Sequence, residues 1–551
     1  MKYQIQQELC SCCHRCRVEC PKGAIRFRGS KYWIDPERCI GCGRCASVCH
    51  NDVIFSPDCP RKKAEPHETI SLSCDVVVIG AGASGTAAAA KAASLGQKVL
   101  ILEKNREEGG SAWYAHVFRS HWSKWHERAG MTDPRDEIYR KFMRQTQGRV
   151  NGKLVRRILD ADADLINWLI DEHGLEKDWT FGPQPFGGYG LVCNYDWSYN
   201  HRRIDTTIGP GGTGWYMCRK LLQIARDNGA EVRFRTAAKQ LLLDEAGAVR
   251  GVIAEDEGGR IEIACKKCVV AAGAFSRNPA LREKFQPGFN SAPDEEDVHV
   301  FTCAACTGDG IIMCEALGCD IDYVNARVGM FGPMRHPFGT ASIAAACNPY
   351  GVRVLKDGTP FVDSAEPAVI SPLAKVPGRY IWHVLDERGV ERAEREAMGR
   401  TPDVIGIDMD AIYENWREEL DQELAWETMY RADTLAELAE RIGADPAALR
   451  RSVEDFNENP DTPCKIGPEG PFYALKMKMF HENSIGGICI DEHMNVLRGG
   501  RVVKGLYAVG DNTRGEMVSG PVGMIYIEET VSALTFALCS GYAAGEEAAL
   551  S

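Results

Sequence analysis

The chain has 551 residues, 44 % of them apolar and 26 % charged, the composition of an ordinary folded protein of two to four domains. Its net charge of −12, with no concentrated basic stretch, argues against nucleic acid or an anionic membrane surface as the main partner. No apolar run of roughly eighteen residues occurs, so no membrane span is predicted, and the opening "MKYQIQQEL" is too short and polar for the core of a signal peptide. A cytoplasmic location is the simplest expectation, because thiols and metal clusters persist there in reduced form.

The 23 cysteines are crowded toward the start. Cys10, Cys13, Cys16 and Cys20 recur as Cys39, Cys42, Cys45 and Cys49, an internal repeat of C-x2-C-x2-C-x3-C. Tight C-x2-C loops let three thiolates converge on one iron–sulfur cube, and in doubled runs the fourth cysteine serves the other cluster. The expected ligand sets are therefore Cys10, Cys13, Cys16 and Cys49, and Cys39, Cys42, Cys45 and Cys20. Zinc sites use paired ligands, and disulfides suit small secreted domains. Residues 1–62 resemble bacterial two-cluster ferredoxins, which implies a small ferredoxin-like domain with two [4Fe–4S] clusters. His50 stands where that family commonly has a proline. The polar, proline-containing "PRKKAEPHETISLS" (60–73) reads as a linker, bounded at 63–74.

From Asp75 the chain reads "DVVVIGAGASGTAAAAKAASLGQKVLILEKN". The apolar run from Val76 to Ile79 predicts a buried parallel strand, and an alanine-rich helix is predicted to run to Leu95. A second strand, from Val99 to Leu102, ends on Glu103. Between the first strand and the helix lies Gly80-x-Gly82-x-x-Gly85, the dinucleotide fingerprint in its full context. The first glycine permits the turn, the second lets backbone approach a pyrophosphate, and the third lets the helix pack closely. Glu103 is placed to accept hydrogen bonds from ribose hydroxyls.

Four further stretches carry a resemblance: "EEGGSAWYA" (107–115), "KKCVVAAGAFSRN" (266–278), "TGDGIIMCEALGCDI" (307–321) and "GLYAVGDNTRG" (505–515). Together they resemble the flavoproteins of the fumarate reductase and succinate dehydrogenase family over most of 75–551. The resemblance implies an α/β chain: a Rossmann-like FAD-binding domain (75–325 and 483–551) interrupted by an α+β capping domain (326–482). It also implies Asp511 at the ribityl chain, Gly110 and Ser111 near the flavin ring, and Ala238 near the adenine. Ala83, Ser84, Lys104, Ala272, Gly273 and Asp309 complete the expected cofactor set. No histidine directly follows Gly110, so the FAD is expected to be non-covalent. No second dinucleotide fingerprint occurs, which leaves the clusters as the electron port.

In the cap, Thr434 with Glu437 and Asp445 before Pro446 are helix-start signals. The substrate-clamping residues of the family are replaced. "VDSAEPAVI" (362–370), "AAACNPYG" (344–351) and "SGPVGM" (519–524) lack the arginines found at the matching family positions, and "HENSIGG" (481–487) lacks one histidine. This pattern implies a substrate other than a small dicarboxylate. His336, Tyr350 and Arg514 are the proton-donor candidates, with Arg335 and Glu516 nearby in sequence. Cys303-x-x-Cys306, with Cys314 and Cys319, is read as buried small residues along a helix rather than as a third metal site.

The expected activity is reduction of an activated carbon–carbon double bond in an enone, aryl acrylate or steroid-like compound. The expected partners are that small molecule and an external low-potential donor such as ferredoxin or flavodoxin, with self-association left open. Two alternatives stand beside it: a dehydrogenase running the reverse reaction, as in ketosteroid dehydrogenases, and an electron-transfer subunit with no organic substrate of its own.

Overall fold

A computed structural model of the chain describes residues 2–10, 15–28, 31–59, 64–115, 118–145, 150–183, 189–193, 213–286, 290, 299–300, 302–331, 350–361, 376–398, 420–421, 424–425, 427, 429–462, 464–513 and 533–551. Strands Val76–Ile79 (β1) and Val99–Leu102 (β2) are buried along their whole length, as uninterrupted apolar runs covered on both faces should be. They join Glu231–Arg233 (β3), Lys267–Val270 (β4), Asn495–Arg498 (β5) and Arg501–Ala508 (β6) in one six-stranded sheet. Its order is β3-β2-β1-β4-β6-β5, parallel throughout except for the β5/β6 pair.

The predicted helix after β1 is Ala83–Ser94 (α1), with Leu95 as its C-terminal cap. Its alanines let two helices approach closely, Thr213–Asp227 (α2) and Ala533–Leu550 (α3). Gly541 and Gly545 of α3 lie against the backbone of α1. A Cβ on them would stand 2.1 Å from the Ser84 carbonyl oxygen and 2.3 Å from that of Ala88.

A second sheet contains Ala237–Leu243, Val249–Glu255, Arg260–Ala264 and Ile70–Ser73. The last of these pairs in parallel with Arg260–Ala264, and His67 Nε2 lies 2.7 Å from Asp256 Oδ1. The stretch read as a linker therefore ends inside a sheet. The alternation of Ile70 and Leu72 with serines suits a half-buried edge strand, a pattern the polar composition concealed.

A third sheet is built on a long ribbon. Ile321–Phe331 pairs antiparallel with Phe472–Ile488, which also carries Tyr380–Asp386 and Met429–Ala432. Both predicted helix starts occur: Thr434 Oγ1 accepts from the Glu437 amide at 3.1 Å, and Asp445 Oδ1 from the Ala448 amide at 2.7 Å. The helices Leu435–Ile442 and Pro446–Glu458 close the cap core through Leu438, Leu449, Trp382, Val384 and Phe472.

In the first sixty residues the repeat is visible as structure. A short helix holds the third cysteine of each run, Arg15–Val18 with Cys16 and Arg44–Val48 with Cys45. The hairpin Ile25–Arg28 with Lys31–Ile34 and the pair Gln4–Ile5 with Ile54–Phe55 surround a small core of Ile5, Ile25, Tyr32, Val53 and Ile54.

Candidate active site

At the carboxyl ends of β1, β2 and β4 lies a cavity of about 200 Å³. It is built on the glycine turn, the place where an open α/β sheet binds a nucleotide. Gly80, Gly82, Ala83, Ser84, Glu103, Lys104, Gly110, Ser111, Ala238, Ala272, Gly273, Asp309 and Asp511 all line it. Of the expected cofactor residues only Gly85 does not. A Cβ on Gly85 would lie 1.9 Å from the Gly80 carbonyl oxygen, so this glycine is required for packing. Gly80 itself has φ +108, and a Cβ there would lie 2.3 Å from the Ala271 oxygen. At Gly82, by contrast, the nearest atom to such a Cβ is 3.8 Å away, which leaves room for a ligand to approach the backbone. No side chain caps α1 at Gly82, leaving its first N–H groups for a bound anion.

Glu103 is buried, and its carboxylate accepts from the amides of Ala81 and Asn105, both at 2.7 Å. Burial raises its pKa, against the pull of those two amides. Lys104 Nζ donates to Asp309 Oδ2 at 2.7 Å and to Thr307 Oγ1 at 2.6 Å, tying β2 to the helix Asp309–Ala316. Asp511 follows β6, and burial pushes its carboxyl up to about 6. Beside it Asn512 fastens the sheet ends: its Oδ1 accepts from the Ala272 amide at 2.7 Å, and its Nδ2 donates to the carbonyls of Val270 and Val509.

The cavity has walls that the sequence reading did not assign. Thr236, Leu534 and Ala537 line it, the last two from α3. So do Cys303 and Cys306, which lie in a turn closed by the Cys306 amide on the Cys303 carbonyl at 3.0 Å. These two cysteines were expected on a helix; the helix begins only at Asp309, after Gly308 with φ +77. Ser111 Oγ accepts from the Cys303 amide at 3.2 Å and lies 3.2 Å from Cys306 Sγ. Burial raises both thiols, Cys303 to about 12, so they present apolar, protonated groups to the cavity.

Four of the repeat cysteines share one small cavity. Cys20, Cys39, Cys42 and Cys45 line one small cavity with Ile34 and Ile40. Burial pushes the Cys45 and Cys49 thiols up to about 11. The Ala24 amide donates to Cys20 Sγ at 3.2 Å. Cys13 lies outside the described residues. Among the described residues no three His, Cys, Asp or Glu side chains converge as they would on a single metal ion. The donor set fits a cluster.

This cysteine-rich segment packs directly on the cavity wall. His50 is 2 % exposed, and its ring stacks on Trp113 with centroids 4.9 Å apart and planes 6° from parallel. Trp113 belongs to the turn Gly110–Tyr114, which also carries Ser111. Asn51 Oδ1 accepts from the Ala304 amide at 3.2 Å. Arg15 pairs with Glu107 at 2.8 Å, and Asp52 with Arg235 at 2.6 Å.

Of the proton-donor candidates, His336 and Arg514 lie outside the described residues, as do Arg335 and Glu516, residues 344–349, 362–370 and 519–524. Tyr350 is 3 % exposed, with the Arg392 guanidinium 5.3 Å from its ring centroid, and it is not among the residues lining this cavity. The strand holding residues 481–487 passes close to the turn after β6, where a Cβ on Gly487 would lie 2.4 Å from the Asn512 carbonyl oxygen. Among the described residues no helix is long and apolar enough to cross a membrane.

Residues 75–520 match the FAD binding domain family, and residues 32–55 match the 4Fe-4S binding domain. The chain is 25 % identical to the NADH:fumarate oxidoreductase of Klebsiella pneumoniae, over 80 % of its own length but only 44 % of the relative's. It is 24 % identical to the fumarate reductase (cytochrome) of Shewanella frigidimarina, covering 88 % of the chain and 78 % of the relative. It is 26 % identical to the urocanate reductase of Eggerthella lenta, over 85 % and 75 %. Among solved structures, a flavocytochrome c3 fumarate reductase aligns with a TM-score of 0.63 at 20 % identity, over 87 % of this chain and 78 % of that one. A 3-ketosteroid delta1-dehydrogenase from Sterolibacterium denitrificans aligns at 0.61 and 19 %, over 87 % and 99 %. Both likenesses are of fold. With its family match running over most of its length and a cavity built on the dinucleotide turn, the chain belongs to the FAD binding domain family and carries a 4Fe-4S binding segment ahead of the flavin domain.

Proposed function

We propose that the chain is an FAD-dependent oxidoreductase that reduces a carbon–carbon double bond activated by a carbonyl or a ring, with electrons arriving through two [4Fe–4S] clusters. One observation carries this reading. The Cys49 end of the iron–sulfur segment sits against the turn and loop that wall the dinucleotide cavity. Bound there non-covalently, FAD supplies both one-electron exchange with the clusters and two-electron hydride transfer to carbon.

The protein's own groups have separate tasks. The first turn of α1 and Gly82 hold the pyrophosphate, and Glu103 accepts from the ribose hydroxyls. Ala238 and Thr236 receive the adenine end. Asp511 holds the ribityl hydroxyls, while Gly110, Ser111 and the thiols of Cys303 and Cys306 border the ring and keep water from it. Cys10, Cys13, Cys16 and Cys49 hold one cluster, and Cys39, Cys42, Cys45 and Cys20 the other. Residues 326–482 form the lid, and His336 or Arg514 delivers the proton.

The substrate class follows from the arginines missing at 344–351, 362–370 and 519–524. A relative named for urocanate supports an unsaturated substrate other than fumarate. The solved ketosteroid dehydrogenase fold supports a second reading in which the same site runs as a dehydrogenase. The test is anaerobic: reduce the enzyme with reduced ferredoxin, then offer enones, aryl acrylates, steroids and fumarate, following flavin reoxidation. Rapid reoxidation by an enone or aryl acrylate is expected. Reoxidation by fumarate alone overturns the substrate class, and bleaching of the oxidised flavin by a saturated steroid, in a separate mix without ferredoxin, favours the reverse reaction.

A further inference from the structure

We propose that His50 and Trp113 form the bridge by which electrons leave the iron–sulfur domain, and that they leave from the cluster held by Cys49. The proposal rests on the reading of the site as two clusters and FAD, and adds the route between them.

His50 follows Cys49 directly in the chain, and both are buried. The imidazole lies parallel to the Trp113 indole at 4.9 Å, a contact that leaves no space for water. In the same turn as Trp113, Ser111 and Ala112 line the flavin cavity. One ligand, one stacked ring pair and one turn therefore join the first cluster to the flavin wall. In the other ligand set Cys42 reaches the surface: it is exposed, and Ile40 beside it is 59 % exposed. That leaves the Cys42 set open to an external donor.

Polar contacts around the stack hold the two domains together. Arg15 pairs with Glu107, Asp52 with Arg235, and Arg106 Nη1 donates to the Ala46 carbonyl at 3.3 Å. The ring contact is thus not the only attachment, and its removal need not undock the domain. Fixing the distance and orientation of two reacting centres is the way a positioned group speeds a step without joining the chemistry.

Each passage takes one electron from the cluster at Cys49, which is oxidised, and gives it to the flavin, which is reduced. A low-potential one-electron donor refills the pair through the Cys42 set. Two passages and one proton give the reduced flavin anion that can deliver hydride.

The experiment uses loaded holoenzyme: wild type, His50→Ala, His50→Phe and Trp113→Leu. Reduced ferredoxin, too large to enter the flavin cavity, is mixed in anaerobically, and the cluster and flavin absorbances are followed separately. Iron, flavin content and equilibrium potentials are measured alongside. His50→Ala and Trp113→Leu are expected to slow flavin reduction on the order of tenfold, with cluster reduction and potentials unchanged, while His50→Phe stays within about threefold of wild type. Flavin reduction at the wild-type rate in fully loaded His50→Ala overturns the bridge, as does a His50→Phe rate as slow as that of His50→Ala. Should His50→Ala fail to fold, Trp113→Leu tests the same contact from its other side, and a wild-type rate there overturns the bridge equally. A wild-type protein that binds flavin but no iron overturns the two-cluster reading, and the bridge with it.

Discussion

The flavin domain and the iron–sulfur segment solve the same problem, holding a redox group, by opposite means. The flavin cavity is made largely of backbone and small side chains on a continuous apolar core, so it stands before any ligand arrives. The segment before it has a core of a few side chains, and Cys16, Cys45 and Cys49 are among them. Its ligands are its interior. A domain this small relies on metal to offset the entropy of folding, and metal binding is then part of its folding free energy.

The sharpest way to break this contrast is Cys45→Ala. We expect loss of the cluster of Cys20, Cys39 and Cys42, protease sensitivity confined to roughly the first sixty residues, and a flavin domain that still melts cooperatively and keeps its flavin. Iron per chain and limited proteolysis measure it. An N-terminal segment that resists protease without iron would show that the contrast is wrong.

Gly85→Val probes the other side. With 1.9 Å between its Cβ and the Gly80 oxygen, the turn must open, costing about 3 kcal/mol and most of the bound flavin. Iron content should stay at the wild-type level.

Asp511→Asn should move two properties in opposite directions. Because burial raises this carboxyl to about 6, the flavin-free fold holds its proton more tightly than the unfolded chain does. Its stabilising contribution is complete at low pH and is lost as the pH rises from 3.8 through about 6. At pH 7 the asparagine variant without flavin should melt about one to three degrees higher and lose that pH dependence, yet retain flavin more weakly. Calorimetry across pH and flavin dissociation measure the two effects.

The smallest effect is expected from Thr434→Ala. It removes one cap bond from a cap-domain helix, costing about 1 kcal/mol in denaturant unfolding and leaving iron and flavin untouched.

What the sequence made legible was what is local. The strand, turn, helix and second strand between Val76 and Leu102 were readable because periodicity and glycine spacing act within thirty residues. The grouping of Cys20 with Cys39, Cys42 and Cys45 round one small cavity follows the spacing of the repeat. The stack of His50 on Trp113 was not, because the two residues lie far apart in sequence and the likeness to ferredoxins made His50 look like a mere replacement of proline. The thiols of Cys303 and Cys306 were misplaced because apolar residues near a helix start resemble the helix itself, and only the left-handed Gly308 marks where it begins. Tyr350 attracted notice as a phenol beside a turn, but its neighbours on the helix Glu387–Met398 decide its place, and spacing does not reveal them. Leu534 and Ala537 of α3 showed no sign of a ligand: an apolar helix facing a cofactor reads like one facing a core.

The part α3 plays has a consequence during synthesis. The cavity is closed by Leu534 and Ala537, which leave the ribosome about 450 residues after Gly80. At roughly 10 residues per second that is a delay of about 45 s. The cysteines of both runs have all been made by Cys49. For most of its manufacture, then, the nascent chain carries a finished set of iron ligands with no completed electron acceptor behind it.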